Sequence, residues 1–184
     1  MDWHEGKLDI IHDAKLADAA YYGHAEVDGW QRDTEFKAVN NEHVVYHKEG
    51  KAKIAYRGTV PSNAKDRHAD YLLAMGLHDR SNRFKRAVKT ADQVVKKYGK
   101  ENVSVTGHSL GAGNAAYVSR ARGLKSTGFS TPLSVLNKRT YAHHHNISTK
   151  ADPVAWVGQR TKGVGKQTIA KQTRTNPHAM SNFL

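Results

Sequence analysis

Gly107-His108-Ser109-Leu110-Gly111 sets a serine between two glycines at the spacing G-x-S-x-G. That spacing suits a sharp turn from strand into helix. Such a turn holds the serine in a strained backbone conformation and lifts its hydroxyl beyond the end of a sheet. Larger side chains at the glycine positions would clash with the neighbouring strand and helix. A helix N-terminus behind the serine favours negative charge developing in front of it. The chemistry this permits is nucleophilic attack by the Ser109 hydroxyl on an acyl group. Its flanks agree: Val103-Ser104-Val105-Thr106 reads as a short strand, and Ala112 to Ala121 as a helix of small residues able to lie close on a sheet.

Such a serine needs a base and an acid to orient the base, and when it sits on a strand–elbow–helix turn the chain order is Ser, acid, His. Beyond Leu110 the sequence holds a single aspartate, Asp152, and no glutamate. Beyond Asp152 it holds a single histidine, His178. The order therefore selects Ser109, Asp152 and His178. His178 would take the Ser109 proton and return it to the leaving alcohol, while Asp152 fixes the imidazole tautomer and stabilises the imidazolium. The bland alternatives are a glycine-rich turn with an ordinary serine, a turn aspartate before Pro153, and a solvated histidine in a frayed tail.

The elements that must position these residues read as an α/β chain. Residues 8 to 22 carry apolar residues at roughly helical spacing and stop at Gly23. Residues 43 to 47 and 52 to 56 are short strands around a Lys48-Glu49-Gly50-Lys51 turn. Residues 83 to 98 are the strongest helix, with Phe84, Ala87, Val88, Ala91, Val94, Val95 and Tyr98 on one face and Gly99 at its end. Thr127 to Ser130 and Tyr141 to Ile147 are further strands. The tail after Gly158 reads as loop-like up to about Ala170. Strands alternating with helices imply a mostly parallel central sheet with helices on both faces. No repeat or linker divides the chain, so residues 1–184 are expected to form one domain.

Several segments together resemble the class 3, fungal-type lipases of the α/β-hydrolase fold, in a compact form. Ile54-Ala55-Tyr56-Arg57-Gly58-Thr59 is similar to that family's strand and oxyanion segment, an aromatic followed by Arg-Gly-Thr. Gly107 to Gly111 is its elbow, Gly128-Phe129-Ser130-Thr131-Pro132 its next strand end, and Ala151-Asp152-Pro153-Val154 its acid segment. Asn176 to Leu184 resembles the histidine segment of its smaller members. The resemblance runs from about residue 10 to residue 184. It implies a carboxylic ester hydrolase acting on lipids, acylglycerol or phospholipid, through an acyl-enzyme on Ser109, without a cofactor. It also implies an oxyanion hole from the backbone N–H groups of Thr59 and Leu110, helped by the Thr59 hydroxyl. Any lid would fall between Thr59 and Phe84, on Tyr71 to Leu77; that segment is short for strong interfacial activation. Gly111 is followed by Ala112 where the family usually has a second glycine. A small soluble-ester esterase is one alternative. A non-catalytic binding or structural component of a larger assembly is the other.

Composition narrows the partners. The 184 residues carry 29 Lys and Arg against 17 acidic residues, a formal charge of +12, which draws polyanions. The basic residues of the second half, Arg120, Arg122, Lys125, Lys138, Arg139, Lys162, Lys166, Lys171 and Arg174, suit peripheral contact with an anionic membrane surface. No recognised nucleic-acid module accompanies the charge, so no specific nucleic-acid partner is expected. His143-His144-His145 would alternate across a strand with no Cys or carboxylate cluster beside them, and no metal site is expected there. There is no cysteine, hence no disulfide or thiolate chemistry. The sequence predicts neither a signal peptide nor a membrane span, so a soluble protein that meets lipid from the surface is expected. Nothing in it specifies an oligomeric state.

Overall fold

The computed structural model of the chain describes residues 3–59, 81–132, 142–154 and 165–184. Eight strands make one sheet whose spatial order is their order in the chain. They are β1 (Glu26–Val27), β2 (Trp30–Arg32), β3 (His43–Lys48), β4 (Lys51–Tyr56), β5 (Val103–His108), β6 (Lys125–Phe129), β7 (His144–Thr149) and β8 (Lys166–Ala170). β1 to β4 pair antiparallel, and the pairings from β4 through β8 are parallel. The parallel part carries the C-terminal ends of β4, β5, β6 and β7 to one edge of the molecule.

Helices α1 (Trp3–Ala19), α2 (Asn82–Tyr98) and α3 (Leu110–Arg122) cover the sheet on both faces. Period-two alternation in the strands decides which residue meets which helix. Val45, Ala52, Ile54, Tyr56, Val103 and Val105 pack with Ala87, Ala91 and Val94 of α2 and Ala115 and Val118 of α3. Val44, Tyr46 and Ala55 face the other way, onto Leu16 and Ala19 of α1. Also on α1, Ala14 and Ala17 meet Phe129, Ile147 and Met180. A buried ion pair also ties α1 to β4, with Lys53 Nζ 2.6 Å from Asp13 Oδ1. Burial pushes the Asp13 carboxyl up, and Lys53 pulls it back only in part.

The expected mostly parallel sheet with helices on both faces is present. Two expectations are corrected, and one hairpin is additional. The segment up to Ala170 is not all loop: Lys166–Ala170 is the edge strand β8. The hairpin β1–β2, turning through Asp28 and Gly29 at φ 51° and 79°, was not anticipated. The strand expected over 141–147 is placed at His144–Thr149. The expected lid on Tyr71 to Leu77 lies outside the described residues. Among the described residues no helix is long and apolar enough to cross a membrane.

Candidate active site

β5 ends at His108 and α3 begins at Leu110, leaving Ser109 alone to turn the chain. Ser109 adopts φ 56° and ψ −124°, on the positive-φ side that L residues avoid. Two hydrogen bonds hold it there: its N–H donates to the Phe129 carbonyl at 2.9 Å, and its carbonyl accepts from Gly113 N–H at 3.1 Å. The glycines are required by close approach. A Cβ on Gly107 would lie 2.5 Å from the Gly111 carbonyl carbon, and one on Gly111 would lie 2.1 Å from the Tyr56 carbonyl oxygen.

His178 reaches this serine from the C-terminal segment. Its Nε2 is 2.9 Å from Ser109 Oγ, and its Nδ1 is 3.0 and 3.2 Å from the two carboxylate oxygens of Asp152. A carboxylate only accepts, so Nδ1 carries the proton and Nε2 presents its lone pair to the serine hydroxyl. Asp152 follows the end of β7 and is fully buried. Its Oδ1 also accepts from Val154 N–H at 2.9 Å. Burial pushes the Asp152 carboxyl up, but hydrogen bonds from His178, Ser130 and the Val154 N–H outweigh it and leave the group below its ordinary value. It therefore stays ionised at neutral pH, as the partner of an imidazole must.

The tail that carries His178 is fastened rather than frayed. Thr149 Oγ1 donates to the Pro177 carbonyl at 2.7 Å, and His178 N–H donates to Asn176 Oδ1 at 3.0 Å. Buried Asn182 accepts from the N–H groups of Thr173 and Arg174 at 3.0 and 2.9 Å. Its amide donates to the carbonyls of Asn176 and Ala179 at 2.9 and 3.0 Å. Met180 joins the core beside Phe129, and the Phe183 ring lies 5.3 Å from that of Phe129.

Leu110 opens α3, where first-turn N–H groups have no partner inside the helix. Thr59 sits three residues past β4, whose last residue Tyr56 is in register with Gly107 of β5. The intervening segment is held from β3 and α2: Arg57 N–H donates to the carbonyl of Glu42, just before β3, at 3.0 Å, and the guanidinium of Arg83 on α2 donates to the Arg57 carbonyl. A Cβ on Gly58 would lie 2.9 Å from the His108 carbonyl oxygen. Ser109, Asp152 and His178 thus meet in one hydrogen-bonded row, with the Thr59 segment and the start of α3 beside them.

His143 and His145 line a cavity of about 950 Å3 near the start of the parallel strands. His144 turns inward between Ser126 Oγ at 2.8 Å and Thr131 Oγ1 at 3.0 Å. Among the described residues no group of three or more His, Cys, Asp or Glu side chains could hold a metal ion. Of the basic residues named above, Arg122 is paired with Asp92, and Lys138, Arg139 and Lys162 lie outside the described residues. Sequence reasoning did not single out Asn182, Ser130, Tyr21 or the side chain of His108 as parts of the site. Only His108 carried a signal, as the residue directly before the serine.

The structure is similar to that of Lip2 lipase from Yarrowia lipolytica, with a TM-score of 0.58 at 14% identity over 99% of this chain and 84% of that one. It is similar to a triacylglycerol lipase from Penicillium expansum, with a TM-score of 0.54 at 14% identity over 90% and 79% of the two chains. A Rhizomucor miehei lipase propeptide complex matches with a TM-score of 0.55 at 13% identity over 100% and 76%. These likenesses show the fold, the α/β-hydrolase sheet of the class 3 lipases. No curated protein sequence matches the chain significantly. A phospholipase-like family model, the Tle-like phospholipase domain, matches residues 29–159, from the β1–β2 turn past Asp152, and the chain belongs to that family.

Proposed function

We propose that the protein hydrolyses carboxylic esters of lipids, acylglycerol or phospholipid, through an acyl-enzyme on Ser109. The observation that carries this reading is the continuous row from Asp152 through His178 to Ser109 Oγ, with both imidazole nitrogens in hydrogen-bond reach. Ser109 Oγ attacks the ester carbonyl carbon as His178 Nε2 takes its proton. The developing oxyanion is received by the N–H groups of Leu110 and Thr59 and by the Thr59 hydroxyl. Each such donor is worth roughly 3 to 4 kcal/mol in the transition state. The imidazolium then protonates the leaving alcohol, and water attacks the acyl-serine with His178 again as base. Asp152, held ionised, stabilises the imidazolium in both halves.

Family membership and the fold support lipid over small soluble esters, and the formal charge of +12 suits an anionic lipid surface. The test compares fatty-acid release from phospholipid vesicles and acylglycerol emulsions with cleavage of a short monomeric ester, for wild type and Ser109→Ala. Faster turnover of aggregated lipid, lost in Ser109→Ala, is expected. Turnover of the monomeric ester alone would make the protein an esterase. No turnover of any ester would favour a non-catalytic component of a larger assembly.

A further inference from the structure

The triad leaves one part of the site unused. His108, directly before the nucleophile, is buried and makes two hydrogen bonds that reach different parts of the chain. Its Nε2 is 2.9 Å from the carbonyl oxygen of His178, and its Nδ1 is 2.8 Å from the hydroxyl of Tyr21. The Tyr21 hydroxyl in turn accepts a hydrogen bond from the Gly58 backbone N–H. The rings of His108 and His178 lie 4.9 Å apart, tilted by 37°.

The direction of every link follows from donor and acceptor inventory. A backbone carbonyl can only accept, so His108 Nε2 carries the hydrogen. The neutral ring then offers a lone pair at Nδ1, and Tyr21 must donate its single proton there. The tyrosine oxygen is left as acceptor, the role the Gly58 N–H requires. One polarity runs through the chain: Gly58 N–H to Tyr21, Tyr21 to His108, His108 to the His178 carbonyl. Burial, with His178 nearby, pushes His108 down to about 4, so the ring remains neutral near pH 7.

Resting on the reading of Ser109 and His178 given above, we infer that Tyr21 and His108 are positioning residues: a directed hydrogen-bond strut joining the oxyanion segment at Gly58 to the backbone of the catalytic histidine. The strut draws together four parts of the chain distant in sequence. Tyr21 follows α1, Gly58 follows β4, His108 ends β5, and His178 belongs to the C-terminal segment. Neither end of the strut touches the reacting atoms. It fixes the distance between the base and the Thr59 segment, two groups that must act on the same tetrahedral centre. A shift of about 1 Å in such a constellation costs on the order of 100-fold in rate.

The test uses the full chain with Tyr21→Phe, His108→Phe and His108→Gln. The readouts are kcat and KM on a soluble short-chain ester, with active sites counted by end-point fluorophosphonate labelling. Tyr21→Phe and His108→Phe are expected to lower kcat per labelled site by about 10- to 100-fold with KM nearly unchanged. His108→Gln keeps a side-chain N–H for the His178 carbonyl and is expected to recover most of the loss. A merely structural role would lower the labelled fraction and the melting temperature but leave kcat per labelled site intact. If His108→Phe fails to fold, Tyr21→Phe, which removes one oxygen, carries the test alone. Values of kcat per site within twofold of an active wild type in Tyr21→Phe would overturn the strut and leave the Ser109 reading standing. A wild type that neither labels nor turns over would overturn the nucleophile and the strut together.

Discussion

Replacing His144 by glutamine should flatten the loss of stability on acidification. His144 is 1% exposed, and burial, with His145 nearby, pushes it down to about 3. Its nitrogens meet two hydroxyls, Ser126 Oγ and Thr131 Oγ1, so the neutral ring is already satisfied. In the unfolded chain a histidine protonates near pH 6.5. Between that pH and about 3, unfolding therefore takes up a proton, and stability falls as pH falls. For one such histidine the loss from pH 7 to pH 5 is about 2 kcal/mol. His43 and His108, both pushed down to about 4, behave alike, and the three together cost about 6 kcal/mol. That is comparable to the whole stability of an ordinary domain. Asp13 and Asp18, pushed up by burial, work in the opposite direction, so wild type alone is a poor gauge. The difference between wild type and His144→Gln cancels them. Glutamine can donate and accept but does not titrate. Urea unfolding followed by tryptophan fluorescence at pH 7, 6 and 5 should show the variant losing about 2 kcal/mol less than wild type over that range. Equal losses in the two proteins would refute the assignment of His144 as a buried neutral base.

Two further outcomes follow from the site. Asn182→Ala removes the acceptor for Thr173 and Arg174 and the donor for Asn176 and Ala179. It should cost about 2 to 4 kcal/mol in chemical denaturation and slow fluorophosphonate labelling of Ser109, since the segment holding His178 is loosened. Ser109→Gly should abolish turnover yet raise the melting temperature by about 2 to 4 °C in calorimetry, because glycine relieves the positive φ of the elbow. A lower melting temperature would show that the elbow stores no strain.

The row of Ser109, Asp152 and His178 was legible because each residue type is scarce where it counts. One acid follows the elbow and one histidine follows that acid, and the glycines fixed the turn. α2 was legible because Phe84, Ala87, Ala91 and Val94 repeat at helical spacing and bury one stripe. β8 was not, because an edge strand of Lys-Gln-Thr-Ile-Ala leaves Ile169 half exposed and has no apolar face to read. β7 was misplaced for a related reason. Its inward residues His144, Asn146 and Ser148 are polar, and His144 and the Asn146 side-chain oxygen find hydrogen-bond partners distant in sequence, so hydropathy gives no register. The β1–β2 hairpin did carry a signal, Asp28-Gly29 between Val27 and Trp30, but strands of two and three residues are too short for alternation to mark. Tyr21 and Asn182 enter the site through tertiary hydrogen bonds that no local pattern announces.

Ester hydrolysis at this site requires that Ser109 be an activated nucleophile. Incubation with a fluorophosphonate, followed by intact-mass and peptide mapping, measures this without choosing a substrate. One adduct on the peptide containing Ser109 is expected. Ser109→Ala should take none, and His178→Ala should label at least about 1,000-fold more slowly. A well-folded wild type that stays unlabelled with phospholipid vesicles present would contradict the hydrolase mechanism.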